Sequence, residues 1–360
     1  MITDLDVSIR GRNAFLHLIC AAIFCVMMSA CGGGGGNSPG SGSSGGTGSG
    51  GGSGSGTGSR TPATTLSCAG YPKTFGFPQN YTQVCLLTQQ SVAATPSLSV
   101  TTDVGNLLGH GRDNLSDFTL YTQIIAQAAD EATATALAKS VVVSTANASI
   151  SAASNPVTSP ETLSINFEVF TASTTNLTLI NNFGDQSADN YNATLNLKPQ
   201  TGNVTLQTLQ GNVTVNDQRG NVTLQTLQGE ATVNDLMGNV ILQTVQGSVT
   251  VNDQTGNVTL QTVQGEATVN DQTGNIAVTL SGSRWTGAGM NATTQMGNVS
   301  VSRPMGYQAA FTAKSDAGNA SIDSQTATSE GSTGAVVTAG SGAPIMLESK
   351  EGNVSVTVSQ

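Results

Sequence analysis

The chain has 360 residues, a net charge of −10, and only 9% charged and 4% aromatic residues. That acidity argues against a nucleic-acid partner, which needs basic patches, and against charge-driven binding to anionic lipid headgroups. The low charged and aromatic content, with Val, Thr, Asn, Gln, Ser and Gly dominating the second half, points away from a globular enzyme and toward short strands joined by tight turns.

Residues 1–30 read as an export signal. Arg10 and Arg12 precede an apolar run from Ala14 to Met28, and Met28-Ser29-Ala30-Cys31 follows. A run of about 15 residues is short for a spanning helix, which needs about 20. The small residues before Cys31 resemble the cleavage box of bacterial lipoproteins. The resemblance implies cleavage before Cys31, a lipid on that cysteine and, with Gly32 behind it, the outer membrane of a Gram-negative cell. The alternative is an ordinary secretory signal cut nearby. Residues 31–66 then form the lipidated cysteine and a Gly/Ser-rich tether, a flexible coil with an r.m.s. span on the order of 30 Å.

Residues 67–96 form a small lead-in around Cys68 and Cys85. Cys20 and Cys25 leave with the signal, so these two remain as a pair in an exported chain, where a disulfide is the default. A metal pair is the competing reading, and no histidine or third thiol supports it. Closing the loop would contribute about 3 kcal/mol. From residue 97 a β-solenoid domain is expected to run to 360. Strands are predicted over 98–102 and 118–121, and an Ala-rich helix over 127–139 with Asp130 and Glu131 early and Lys139 late. Further strands are predicted over 140–144, 163–170, 177–181 and 193–197, with Phe167 and Phe170 at the end of the core.

Glycine then recurs every ninth residue from Gly202 to Gly274, usually followed by Asn and Val. GNVTLQTLQ alternates with variants of a second nonapeptide, so the true repeat is 18 residues and 202–273 holds four copies. Val204, Leu206, Leu209, Val213 and Val215 and their counterparts in later copies alternate with polar residues and are expected to face inward. Two short strands cannot bury a face alone, whereas coils stacked about 4.8 Å apart can. Closer identity at 18 than at 9 residues favours parallel stacked coils over a series of hairpins. The glycines are expected to turn the chain through positive φ. The signature persists at wider spacing in 274–360, at Gly297-Asn298-Val299, Gly318-Asn319-Ala320 and Gly352-Asn353-Val354.

These signatures, with Val301-Ser302-Arg303-Pro304, Gly306-Tyr307, Phe311 to Asp316, and the ending from Gly342 through Val354, resemble the putative-adhesin family of bacterial β-strand-repeat proteins. The resemblance covers about 97–360. It implies a β-solenoid in the envelope or on the surface, and it supplies no catalytic residues.

Asp217, Asp235, Asp253 and Asp271, each after an Asn, form a weak candidate calcium ladder, since stacked carboxylates would repel and a divalent cation would relieve that. The calcium nonapeptide Gly-Gly-x-Gly-x-Asp is missing, so a polar turn is favoured. Thr214, Thr232, Thr250 and Thr268 form an outward surface ladder. His110, the one histidine of the mature chain, reads as a loop residue between glycines. Trp285 reads as a cap residue rather than a sugar-stacking platform. No catalytic residues, cofactor or metal are assigned. The expected function is a non-enzymatic, lipid-anchored module for adhesion or interaction, with a glycan or protein ligand. A self-associating structural scaffold is the alternative, and a carbohydrate-active β-helix enzyme the third reading.

Overall fold

In a computed structural model, residues 62–75, 80–113, 115–328 and 334–359 are described, all within the compact unit Gly58–Gln360. The export signal, Cys31 and nearly all of the tether lie outside the described residues. The regular block is a parallel two-sheet solenoid. Val204 pairs with Val222, Val222 with Val240 and Val240 with Val258 in the first sheet. In the second, Val213 pairs with Ala231, then Val249 and Ala267. The inward Val, Leu and Ala columns of both sheets are buried, most of them completely. Period-two alternation and an 18-residue pitch therefore enclose one dry aliphatic stripe.

Among the described residues the stack has ten coils, each a second-sheet strand followed by a first-sheet strand, and an eleventh, looser level from Ser149–Ala153 and Thr162–Ala172 pairs in parallel beside the first of them. Their stacking order departs from chain order at both ends. Coil 97–112 is followed in sequence by an excursion carrying strands Asp117–Ala128, Val142–Ser144, Ser149–Ala153 and Thr162–Ala172 and the helix Glu131–Lys139. This excursion closes one end of the stack. Coil 176–189 then returns to lie on coil 97–112. At the far end, coil 344–358 inserts between coil 290–303 and coil 310–322. The last coil in sequence is therefore not the last in space. Antiparallel strands Gln325–Thr328 and Ala335–Gly340 close that end.

Two local expectations change. The helix begins at Glu131, because Gln127 and Ala128 still pair with strand Tyr81–Ala93. Asp130 caps the helix, its Oδ1 accepting from the Thr133 N–H at 2.8 Å. That same strand Tyr81–Ala93 carries Cys85, which is bonded to Cys68, so the lead-in is built into the first sheet.

The repeated glycines serve close approach more than φ. In the block only Gly202 and Gly220 have φ in the left-handed half. A Cβ on Gly256 would lie 1.5 Å from the Gly238 carbonyl oxygen one coil away. The left-handed corner residue is instead Thr208, Thr226, Thr244 and Thr262, at φ 52–56°. That kink breaks the alternation, so that Thr208 stays outside and Leu209 turns inward. The Asn after each turn glycine forms a spine. The Asn203 Oδ1 accepts the backbone N–H and the Nδ2 of Asn221 at 3.1 and 3.0 Å, and the pattern repeats through Asn239, Asn257, Asn275 and Asn298. It continues to Asn353 and then Asn319, in stacking order rather than chain order.

Candidate functional site

The second sheet carries the most regular exposed surface. Thr214, Thr232, Thr250 and Thr268 stand in register and are half-buried. Beside them runs a second amide ladder in which Asn234, Asn252 and Asn270 each donate Nδ2 to the Asn Oδ1 one coil before, at 2.9, 2.9 and 3.0 Å. A groove of about 440 Å³ follows this ladder over the later coils. It is lined by Asn234, Asn252, Asn270, Gln254, Gln272 and Thr293, with exposed Leu236 at one border. Each ladder amide keeps hydrogen-bonding capacity toward solvent, because its second N–H is not used in the ladder.

Asp235, Asp253 and Asp271 line the floor of this groove, Asp217 continues their column one coil earlier, and all four are only 1–3% exposed. Each Oδ1 accepts from the backbone N–H two residues on, at 2.9–3.1 Å. This is the side-chain-to-backbone turn bond available to any Asp. Among the described residues no group of three or more His, Cys, Asp or Glu side chains is placed to hold a metal ion. Trp285 is 4% exposed and belongs to the core, so its ring faces are covered. Asp316 pairs with Lys314 and Lys350, and Asp323 with Arg303.

A second polar cluster was missed in the sequence. His110 lies in strand Leu107–Arg112 rather than in a loop. Its Nδ1 is 2.6 Å from Asp189 Oδ2 and its Nε2 3.1 Å from Glu168 Oε1, and Arg112 also reaches Asp189. The ring stacks on Phe170. Burial alone would lower the His110 pKa, but hydrogen bonds to Asp189 and Glu168, with their charges, raise it to about 9. Burial likewise favours a neutral Glu168, while bonds from His110, Thr64 and Thr65 hold it down at about 2. The fully buried Glu168 thus accepts from the Thr64 hydroxyl and from the N–H and hydroxyl of Thr65. Tyr121 donates to the Pro62 carbonyl and Gln123 to the Ser67 carbonyl, both at 2.6 Å. With the Cys68–Cys85 bond, these contacts clasp the segment leaving the tether to the first sheet. Glu168 and His110 are 58 residues apart, and nothing in local spacing links them.

Ten parallel coils closed at both ends by antiparallel strands define the molecule as a capped two-sheet β-solenoid. Residues 188–357 match the Toastrack DUF4097 family. The coils over 97–187 continue the same stack beyond the matched span. Three solved structures are similar over about three quarters of this chain and 97% of their own. They are a putative adhesin from Bacteroides fragilis NCTC 9343 (13% identity, 76% of this chain, TM-score 0.36), a putative adhesin from Parabacteroides distasonis ATCC 8503 (9%, 75%, 0.43), and a putative lipid binding protein from the same organism (10%, 77%, 0.39). At these values the likeness is distant and assigns no function. No curated protein matches the chain.

Proposed function

We propose that the chain is a non-enzymatic interaction module of the cell envelope, tethered through a lipid on Cys31, whose working surface is the second-sheet groove. The partner class is an extended, uncharged, hydroxyl-rich polymer of the glycan type. One observation carries this reading: the groove runs along stacked amides that repeat once per coil. Sugar hydroxyls both donate and accept, as do Asn and Gln amides. Weak contacts repeated at a coil spacing of about 4.8 Å add along one strand of polymer. The His110 cluster supports no hydrolytic alternative, because the imidazole is held between two carboxylates. The outermost strands are short, 3 to 6 residues, which weighs against end-to-end polymerisation through sheet edges.

The test is binding of the detergent-solubilised full chain to a panel of neutral and acidic polysaccharides. The triple variant Asn234→Ala, Asn252→Ala, Asn270→Ala is expected to weaken binding by at least about tenfold, equivalent to about 1.4 kcal/mol. Substitution of Thr205 and Thr223 on the opposite sheet leaves binding unchanged. Equal binding by the triple variant, or no polysaccharide bound at all, overturns the proposal.

A further inference from the structure

One column of the second sheet meets the glycine turn at every level. In stacking order it runs Thr102, Asn181, Pro199, Asp217, Asp235, Asp253, Asp271, Thr294, Ser349 and Ser315. Its polar members are at most 5% exposed. Outside the regular block they share one bond. Thr102 donates to the Ile165 carbonyl at 3.1 Å and Asn181 to the Gly105 carbonyl at 3.0 Å. Thr294 donates to Gly274 at 3.1 Å, Ser349 to Gly297 at 2.7 Å and Ser315 to Gly352 at 2.7 Å. In each case the acceptor is the carbonyl oxygen of the neighbouring level that lies under the donor's own turn glycine.

The four aspartates sit in the same place with a different side chain. Oδ1 is used by the turn N–H, whereas Oδ2 of Asp217, Asp235 and Asp253 is buried with no protein partner. Asp271 Oδ2 faces only the Thr294 hydroxyl, at 3.5 Å. A Cβ built on the turn glycine would lie 3.0 Å from Oδ2 of Asp217, Asp235 and Asp253, and 2.9 Å from that of Asp271. The same construction lies 3.0 Å from Ser349 Oγ and 2.9 Å from Ser315 Oγ. Oδ2 therefore occupies the position of the donating hydroxyl, toward a carbonyl of Gly202, Gly220, Gly238 or Gly256. A carboxylate there sets acceptor against acceptor, and stacks like charges as well. A neutral carboxylic acid has the O–H that the position uses everywhere else.

We propose that Asp217, Asp235, Asp253 and Asp271 are carboxylic acids in the folded protein, each donating its Oδ2 proton to the glycine carbonyl of the preceding coil, so that deprotonating this column loosens the regular block. The surroundings agree. Burial raises Asp217 to about 6 against its two turn N–H bonds. Burial, then the charges of Asp217 and Asp253, raise Asp235 to about 7. Burial also raises Asp253, and with the charge of Asp253 it brings Asp271 to about 6. The groups facing the column are few. Pro199 and Thr294 border it, Asn216, Asn234, Asn252 and Asn270 lie beside it, and the paired first-sheet strands carry no ionisable residue. Lys198 one level below and Arg219 in the first turn are the nearby cations in sequence.

A folded pKa above the ordinary value means that this contribution is fully present below about pH 4 and is lost as the pH rises through about 6 to 7. The experiment is carbon-13 NMR of Asp carboxyls in the full chain, with thermal melts of wild type and of the quadruple variant Asp217→Asn, Asp235→Asn, Asp253→Asn, Asp271→Asn. Asn supplies an N–H donor, as Asn181 does. Asp217, Asp235 and Asp271 are expected to titrate near pH 6 to 7, and Asp253 above its ordinary value. The variant is expected to melt no lower than wild type at about pH 8, and the difference between them to change between about pH 5 and 8. His110 adds its own slope above its ordinary pKa in both proteins, and this cancels in the difference. Carboxyls that titrate below about pH 5 overturn the proposal. So does a variant that melts lower at about pH 8, or added calcium that raises Tm in wild type alone. Should the variant fail to fold, the wild-type titration decides by itself.

Discussion

In the regular block, chain order and stacking order coincide; in the C-terminal coils they do not. Both regions use the same Gly-Asn signature, the same inward aliphatic columns and the same Asn spine. What differs is the route. Coil 344–358 is threaded between two coils that precede it, and the spine passes from Asn298 to Asn353 before reaching Asn319. A shared signature thus defines what a coil is, while strand pairing decides where it lies.

The largest effect expected from this difference comes from deleting residues 344–360. In an ordered stack such a truncation removes one coil. Here it also strips coil 310–322 of its neighbour in both sheets. Amide hydrogen exchange should show protection over 310–322 falling by more than about a hundredfold, while the block at 222–263 keeps its own. Retained protection at 310–322 would mean that the coils stack in chain order after all. A smaller loss is expected from Gly256→Val, whose side chain meets the Gly238 carbonyl. Urea unfolding should register more than about 4 kcal/mol, against about 1–2 kcal/mol for Gly282→Ala, where space is open and only φ +77° is strained. Equal costs at the two sites would remove close approach as the reason for the glycines. The smallest effect is a gain. Asn190 occupies, at φ 59°, the corner 18 residues before Thr208. Thr226→Asn should therefore raise the urea midpoint by the equivalent of up to about 1 kcal/mol, by relieving a β-branched residue at positive φ.

The block was legible because an 18-residue pitch brings like residues together, and Val204 does lie beside Val222. The inward columns followed from period-two alternation. The reason for the glycines was not legible, since contact with a neighbouring coil's carbonyl leaves no mark distinct from a demand for positive φ. Nor was the place of Asn353, whose signature matches that of Asn298 and Asn319. Asp217 read as a turn residue, and its Oδ1 bond is that of a turn. Its burial, and the alignment of its Oδ2 with Ser349 Oγ, appear only once coils distant in sequence are superposed. Glu168 carried no signal, because its partners come from two distant segments, Thr64–Thr65 and the strand of His110.

Both ends of the solenoid are woven from strands out of sequence order, while the middle is a plain succession of interchangeable units. Gain or loss of a whole unit in the middle would therefore leave the two woven ends intact and change only their separation, by about 4.8 Å each time. The molecule has the construction of an extensible spacer, whose length can drift between generations while its terminal fittings remain the same.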